Sequence, residues 1–479
     1  MAIIYTILAY FALLLLVSKW TSRHDDNDTF YRGNRRSPWY MVAFGMVGAS
    51  ISGVTFVSVP GMVTATGMTY LQTCMGFVAG YFAVAFILLP IYYRMNLTTI
   101  YTYLNRRLGR HAYKTGAWFF LGSKMAGAAV RFYVVCIILQ HYVLDDMHIP
   151  FPLTVTVMVG LIWLYTRRGG IKTLVWTDTF QTFCMMAALV MIIHHVMAEM
   201  GLDIGNAINL IRSDEKSRIF VMDDWLSTQN FWKQFISGAF IVIVMTGLDQ
   251  DMMQKNLTCK TLREAQKDMC TYGLAFVPVN LLFLSLGILL TALAQQQGMT
   301  IAGDELLPSF AASGSLGMGV LVFFTIGIVA ASFSSADSAL TALTTTYCVD
   351  ICERPEDQSL RRRAHLTMAI VFIVFILLFR LLNSTSLIDA IYTIVSYTYG
   401  PLLGLFAFGL LTHRKPIGQA VPYIAIASPL LCFALDFTLR STTGYRFGYE
   451  LLMLNGLLVF CGLMTCSRKD TGQQETTAI

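Results

Sequence analysis

Thirteen apolar runs, each long enough to cross a lipid bilayer, follow one another along the chain. Inside a bilayer the backbone N–H and C=O groups must be hydrogen-bonded within the protein, so runs of this kind fold as helices. With 56% hydrophobic and only 13% charged residues, little of the chain remains for soluble domains. The sequence therefore predicts an all-α polytopic membrane protein with about thirteen transmembrane helices, at residues 2–18, 39–63, 67–92, 116–143, 151–166, 173–198, 234–254, 270–294, 316–348, 366–382, 386–411, 417–437 and 448–466.

The basic residues indicate the orientation of the chain. Most of the 34 Lys and Arg residues lie in the loops that follow the odd-numbered runs, and loops rich in these residues stay in the cytoplasm. We therefore expect an outside N-terminus and a cytoplasmic C-terminus in a plasma membrane, such as a bacterial inner membrane. The net charge of +6 reflects this asymmetry, and nothing else in the sequence supports binding of nucleic acid.

Two of the predicted spans are interrupted. The second contains GASISGVTFVSVPG (residues 48–61), and the seventh contains MTGLDQDMMQ (residues 245–254) with two carboxylates. The interruptions lie five spans apart, which is the pattern of a secondary transporter built from two inverted repeats. Unwound carbonyls at such a break can bind a cation. Each break taken alone is also compatible with a simple kink.

The ninth span concentrates oxygen atoms on one side of a helix. Its sequence AASFSSADSALTALTTTYCVD (residues 330–350) carries several hydroxyls and Asp337, and at 100° per residue most of the hydroxyls share a face. Oxygen ligands suit hard cations, and an ionisable residue within a span indicates function. The alternative is close helix packing through small residues, with Asp337 near a helix end.

Other chemistries lack their usual motifs. The ten cysteines form no CxxC or Cys/His metal pattern, and the chain contains no GxxxxGK[ST] loop for a nucleotide. No nucleophile with a nearby base emerges from the spans, so we do not expect an enzyme.

Four segments together resemble the sodium:solute symporter family, which includes sodium/proline, sodium/galactose and sodium/sialic acid carriers. They are SGVTFVSVPG in the second span, GGIKTLVWTDTFQ (residues 169–181), DQDMMQKNLTCKTLREAQ (residues 249–266) and FSSADSALTAL in the ninth span. The resemblance implies a leucine-transporter-type core of 5+5 inverted repeats. It divides the chain into an extra helix and loop (1–38), a first repeat (39–198), an extracellular loop (199–233), a second repeat (234–411), and two further helices with a tail (412–479).

The resemblance also implies that sodium (Na+) binds between the second and ninth spans. A first site would use three carbonyls and two hydroxyls, those of Gly48, Ile51, Ala331, Ser334 and Ser335. A possible second site, nearer the cytoplasm, would add Asp178, Asp337 and Ser338 to Ser334. Asp178 is also open to a purely structural pairing with a loop cation, because Lys172 lies six residues before it.

For the solute, Ser52, Thr55 and Arg131 resemble the set used by the sialic acid carrier of the family. An arginine near mid-span costs roughly 2.5–3.5 kcal/mol on insertion, and its fork of donors matches a carboxylate. Pairing with Asp249 or Asp251, or outward extension beside Lys124, is the alternative for this arginine. Further candidates for lining the solute site are Gln72, Phe77 and Gln250.

These observations predict a monomeric, sodium-coupled symporter, surrounded by lipid, that imports a small polar organic solute by alternating access. The solute is expected to carry a carboxylate, as sialic acid and amino acids do. A sodium-coupled carrier of a neutral sugar or polyol is the nearest alternative. An uncoupled channel or a transceptor-type sensor would be the alternatives from other classes.

Overall fold

The computed structural model describes residues 2–21, 26–145, 148–225, 227–311, 316–382, 387–445, 447–448 and 450–469, and residues 470–479 of the predicted tail lie outside them. The α-helices are α1 (Ala2–Thr21), α2 (Asn27–Arg32), α3 (Trp39–Ser50), α4 (Gly53–Thr66), α5 (Tyr70–Ala83), α6 (Leu89–Arg94), α7 (Thr102–Leu108), α8 (Arg110–Leu139), α9 (Phe151–Thr166), α10 (Gly170–Glu199), α11 (Ile204–Ser213), α12 (Phe231–Val242), α13 (Gln250–Asn256), α14 (Leu262–Gln296), α15 (Leu306–Ala311), α16 (Met318–Thr346), α17 (Gln358–Leu382), α18 (Leu387–Thr398), α19 (Gly400–Leu411), α20 (Ala420–Thr442) and α21 (Leu451–Thr465).

Each of the thirteen predicted spans overlaps at least one of these helices. By length and composition, seven described helical segments could cross a membrane, or eight if α12 and α13 form one bent span, and five shorter apolar helices accompany them. Two short strands, β1 (Arg414–Pro416) and β2 (Ser467–Lys469), pair antiparallel. They tie the end of α19 to the end of α21 and leave the all-α character of the chain intact.

Helix α16 is buried over most of its length. All of its residues from 327 to 346 are buried, including every serine and threonine of the oxygen-rich run. Large apolar side chains are instead exposed on the outer helices, with Phe183 of α10 and Leu430 of α20 both 65% exposed. The polar face of α16 therefore points into protein, and Asp337 lies well inside this helix and not at its end.

Close packing at Gly48 holds α3 against α10. A Cβ added there would lie 1.9 Å from the hydroxyl oxygen of Thr182 and 3.1 Å from its Cα. We expect Gly48→Ala to separate these helices and to lower the free energy of unfolding by about 1–3 kcal/mol, since overpacking forces backbone shifts. Thermal unfolding of the purified protein in detergent measures the effect.

Gly122→Ala is the matched control, because a Cβ at this position in α8 meets no atom within 4 Å. It should leave stability unchanged or slightly raised, as alanine is the better helix former. Equal losses of stability in the two variants would show that the contact at Gly48 does not matter.

Candidate functional site

The first interruption is short and lies between α3 and α4. Ile51 (φ −84°, ψ 82°) leaves the helical conformation and Ser52 (φ −71°, ψ 169°) is extended, after which α4 begins at Gly53. The break predicted over residues 48–61 is therefore confined to two residues. Helix α4 continues through Pro60, although a proline inside a helix cannot donate to the carbonyl four residues before it, here that of Phe56.

The second interruption lies between α12 and α13, as the sequence predicts. A wider, π-type turn over Ile243–Gly247 ends α12, and α13 then starts at an angle of 71° to it. Asp249 caps the new helix, since its Oδ1 accepts the backbone N–H of Asp251 at 2.8 Å. A buried N-terminus with two carboxylates beside it thus replaces a continuous span.

Helix α16 contacts the first break directly. Ser335 Oγ donates a hydrogen bond to the carbonyl of Ala49 at 2.9 Å. The backbones also approach closely, because a Cβ placed on Gly53 would lie 2.0 Å from Ser332 Oγ. The hydroxyl face of α16 and the broken helix are therefore adjacent, as the predicted first sodium site requires.

The residues proposed for that first site are all buried: Gly48, Ile51, Ala331, Ser334 and Ser335. Among the described residues no three His, Cys, Asp or Glu side chains gather as a metal site. The oxygens that the break and α16 offer to a cation are hydroxyls, carbonyls and the carboxylate of Asp337, and Asp178 of α10 adds a second carboxylate. Such a set suits an alkali metal ion better than a transition metal.

A buried ion pair occupies the neighbourhood of the predicted second site. Lys255 Nζ of α13 lies 2.7 Å from Asp178 Oδ2 of α10, and both side chains are almost completely buried. Ser334 Oγ donates to Asp178 Oδ1 at 2.6 Å. The structural partner of Asp178 is therefore Lys255, and not Lys172, which lies in the first turn of α10.

Asp337 lies in the same neighbourhood with hydroxyl partners. Tyr165 of α9 donates its phenolic O–H to Asp337 Oδ2 at 2.6 Å, and Ser338 Oγ lies 3.2 Å from Asp337 Oδ1. Two carboxylates and one ammonium, those of Asp178, Asp337 and Lys255, thus share this buried region. When all three are ionised the group carries one net negative charge, which a bound cation would neutralise.

A cavity of about 110 Å³ adjoins the two breaks. Four of the predicted solute residues, Ser52, Thr55, Phe77 and Arg131, line it, and so does Ser335 of the sodium site. Its other walls are rich in polar and aromatic groups, namely Ser50, Tyr70, Tyr81, Ser123, Lys124, Thr246, Asp249, Asp251, Tyr272, Phe276 and Tyr399. A small polar solute would therefore lie next to the first sodium site.

Lys124 of α8 pairs with both acidic residues of this cavity. Its Nζ lies 3.0 Å from Asp249 Oδ2 and 2.6 Å from Asp251 Oδ2, and Tyr399 donates to Asp249 Oδ2 at 2.7 Å. The sequence left open whether Arg131 pairs with these aspartates. Lys124 takes that position, and within the described part of the chain Arg131 has no ion pair.

Two of the predicted solute residues lie outside the cavity. Gln72 uses its amide to join α5 to the loop before α12, accepting from Val221 N at 3.1 Å and donating to the Gln229 carbonyl at 3.0 Å. Gln250 accepts from Ile100 N at 2.9 Å and donates to the carbonyl of Thr98. Both amides cross-link backbone segments, and for both residues a part in solute binding stays a prediction.

The sequence reasoning missed the two buried lysines as parts of the site. The sequence predictions name Lys124 only as a neighbour of Arg131, and they do not include Lys255. Both lysines lie within or at the end of an apolar run. This position indicates an ion pair, because a lysine buried in a span needs a carboxylate partner. Reading the two lysines against Asp178, Asp249 and Asp251 would have suggested these pairs.

Comparison with known proteins agrees with this architecture. Residues 30–416 match the model of the sodium:solute symporter family. The sodium/sialic acid symporter NanT of Aliivibrio fischeri is 23% identical, with 95% of this chain and 91% of that protein covered. The sodium/sialic acid symporter SiaT of Proteus mirabilis is 22% identical, with 87% and 86% covered.

Solved structures share the fold. A Na+-coupled sialic acid symporter in a substrate-bound, outward-open state matches with a TM-score of 0.83 at 20% identity, covering 97% of both chains. Mhp1, a nucleobase-cation-symport-1 family transporter in a closed conformation, matches with a TM-score of 0.60 at 14% identity, covering 91% of this chain and 93% of its own. The predicted all-α fold with a leucine-transporter-type core is confirmed.

Proposed function

The chain belongs to the sodium:solute symporter family, and from this premise we propose that the solute it imports with sodium is sialic acid or a closely related carboxylated sugar. It is a multi-pass membrane transporter and not an enzyme. The main observation in support of this solute is Arg131, whose guanidinium lies in the cavity wall and has no ion pair among the described residues. A planar fork of donors in that position suits a carboxylate.

The solute class has a second, independent support. Both bacterial relatives described above are named as sodium/sialic acid symporters, and the chain is aligned with nearly their whole length. Ser52 and Thr55 lie in the same cavity wall as Arg131 and supply hydroxyls for the remainder of the solute. A neutral sugar or polyol would give Arg131 no anionic partner.

The proposed first sodium ion binds between the α3–α4 break and α16, through the carbonyls and hydroxyls named for it in the sequence. The contact between Ser335 and the Ala49 carbonyl supports this placement and adds Ala49 as a neighbouring oxygen. A possible second ion would use Asp178, Asp337 and Ser338. In that case Lys255 would have to move away from Asp178, since the ammonium now holds that carboxylate.

Coupling follows from the position of the first ion. Sodium that draws the break towards α16 would also order Ser52, which faces the solute cavity, so the ion binds more tightly when the solute site is formed. Each charge that crosses about 100 mV supplies roughly 2.3 kcal/mol. The two repeats, residues 39–198 and 234–411, are proposed to move against each other.

The remaining assignments are also proposals. The chain would act as a monomer in lipid, in a plasma membrane such as the bacterial inner membrane, with its N-terminus outside and its C-terminus in the cytoplasm. The distribution of Lys and Arg supports the orientation. Labelling cysteines at the two termini with a membrane-impermeant reagent, in intact and in permeabilised cells, would test this orientation.

We expect Arg131→Lys to weaken sodium-dependent sialic acid uptake by about tenfold or more, because the lysine keeps the charge but loses the paired donors. Uptake of labelled sialic acid into proteoliposomes under an inward sodium gradient measures this. The exposed residue Arg212 on α11 supplies the control, and Arg212→Lys should transport normally. Wild-type uptake of a neutral sugar in preference to every carboxylate tested would contradict the proposed solute.

A further inference from the structure

Asp251 has one oxygen that the protein itself does not use. Its Oδ2 pairs with Lys124 at 2.6 Å, whereas Oδ1 is buried and has no hydrogen-bond partner within the described residues. The residue is 5% exposed and lines the solute cavity. An unpaired buried acceptor is unfavourable, and in a binding site a ligand donor can remove that cost.

Asp249 serves as an internal comparison. Its Oδ1 accepts the backbone N–H of Asp251, and its Oδ2 accepts from both Lys124 and Tyr399. All three of these hydrogen-bond donors to Asp249 belong to the protein. Asp249 therefore has a structural role. Of the two carboxylates beside the second break, Asp251 is the one that has an oxygen left for the solute.

The distance between Lys124 and Arg131 constrains the solute. They lie seven residues apart on α8, which places them on the same face and about 10 Å apart along the helix axis. Because Lys124 holds Asp251, the free oxygen belongs to the Lys124 end of the cavity. A solute that binds Arg131 through its carboxylate must present donors several atoms away to reach Asp251.

We propose that Asp251 Oδ1 accepts hydrogen bonds from hydroxyl groups of the solute and so selects sugar acids over simple monocarboxylates. The inference rests on the proposed function, since it takes the carboxylate to be at Arg131. In an α-amino acid the ammonium and the carboxylate are separated by a single carbon, too short a span for both ends of the cavity. A polyhydroxylated acid has donors along its whole length.

The test uses the full-length protein in proteoliposomes and compares two competitors of sialic acid uptake, unlabelled sialic acid and propionate, which has no hydroxyl groups. In Asp251→Asn the amide oxygen can stay on Lys124, and the NH2 group then replaces the acceptor by a donor. We expect the apparent affinity for sialic acid to fall by about tenfold or more, and that for propionate to change less than twofold.

Lys124→Met distinguishes solute contact from loss of the ion pair. It removes the pair but keeps the Asp251 oxygens, so we expect it to weaken both competitors by similar factors. Equal losses for the two competitors in Asp251→Asn would overturn the inference, as would the selective loss appearing in Lys124→Met. The inference would also be overturned if Asp251→Asn weakened competition by a zwitterionic amino acid more than it weakened competition by sialic acid.

The proposed function can fail separately. If the wild-type protein takes up sialic acid but Asp251→Asn weakens sialic acid and propionate equally, only the role of Asp251 is overturned. A wild-type protein that takes up no carboxylate overturns the proposed solute and this inference together. Thermal unfolding of each variant shows whether a lost activity reflects lost folding.

Discussion

The double variant Ser334→Ala and Ser335→Ala is expected to lose sodium stimulation of uptake while it remains inserted and folded. Two hydroxyl oxygens leave the proposed first site, and each hydrogen-bond-type contact to a charged group is worth about 1.5–3 kcal/mol. The apparent sodium affinity should therefore fall at least about 100-fold. Solute flux that remains would be slow and independent of the sodium gradient.

The measurement is solute uptake into proteoliposomes over a series of sodium concentrations at constant ionic strength. Thr325→Ala is the matched control, because Thr325 is a buried hydroxyl on the same helix. Within the described part of the chain it bonds only to its own helix, at the Leu321 carbonyl. It should keep the wild-type sodium dependence. A double variant whose uptake rises with sodium as steeply as the wild type would refute the site between α16 and the α3–α4 break.

Lys255→Met is expected to destabilise the protein by about 3–5 kcal/mol, the usual cost of removing one partner from a buried ion pair. Without the ammonium, Asp178 and Asp337 would remain in the core as two carboxylates with hydroxyl partners only. Exposed Lys19 at the end of α1 is the control, and Lys19→Met should change stability by less than about 0.5 kcal/mol.

Denaturant or thermal unfolding in detergent measures this loss. Adding Asp178→Asn to Lys255→Met should recover part of it, because the uncompensated charge is then gone. If a second sodium can replace the ammonium, sodium should stabilise Lys255→Met more than choline does at the same ionic strength. Full wild-type stability of Lys255→Met in choline would show that this ion pair contributes nothing to folding.

The fold followed from the sequence because its causes are local. An apolar run of about twenty residues must form a helix in a bilayer whatever surrounds it. The two interruptions were visible for the same reason, since glycine, proline and charged residues disturb the apolar pattern where they stand. The structure narrowed the first break to Ile51 and Ser52, because local sequence marks a disturbance but does not set its length.

The predicted site was partly accessible to the same reasoning. The hydroxyl face of α16 is hydrogen-bonded to the helix before the first break, through Ser335 and the Ala49 carbonyl. One cavity is lined by Arg131, Ser52, Thr55 and Phe77. Gln72 and Gln250 instead hydrogen-bond to backbone groups outside that cavity. A buried amide side chain can line a solute cavity, or it can hydrogen-bond to the backbone of a distant segment. Its sequence neighbours do not distinguish these two roles.

The order of the amino acids is enough to show that this chain is a bundle of membrane helices, where two of the helices break, and which helix presents oxygen atoms. The electrostatic partners follow from the three-dimensional packing: Lys255 pairs with Asp178, and Lys124 pairs with Asp249 and Asp251. These pairs join residues 77 to 127 positions apart, so no local pattern encodes them. The physical reason is that helix formation is fixed within one segment, whereas the neutralisation of a buried charge depends on which segment folds against it.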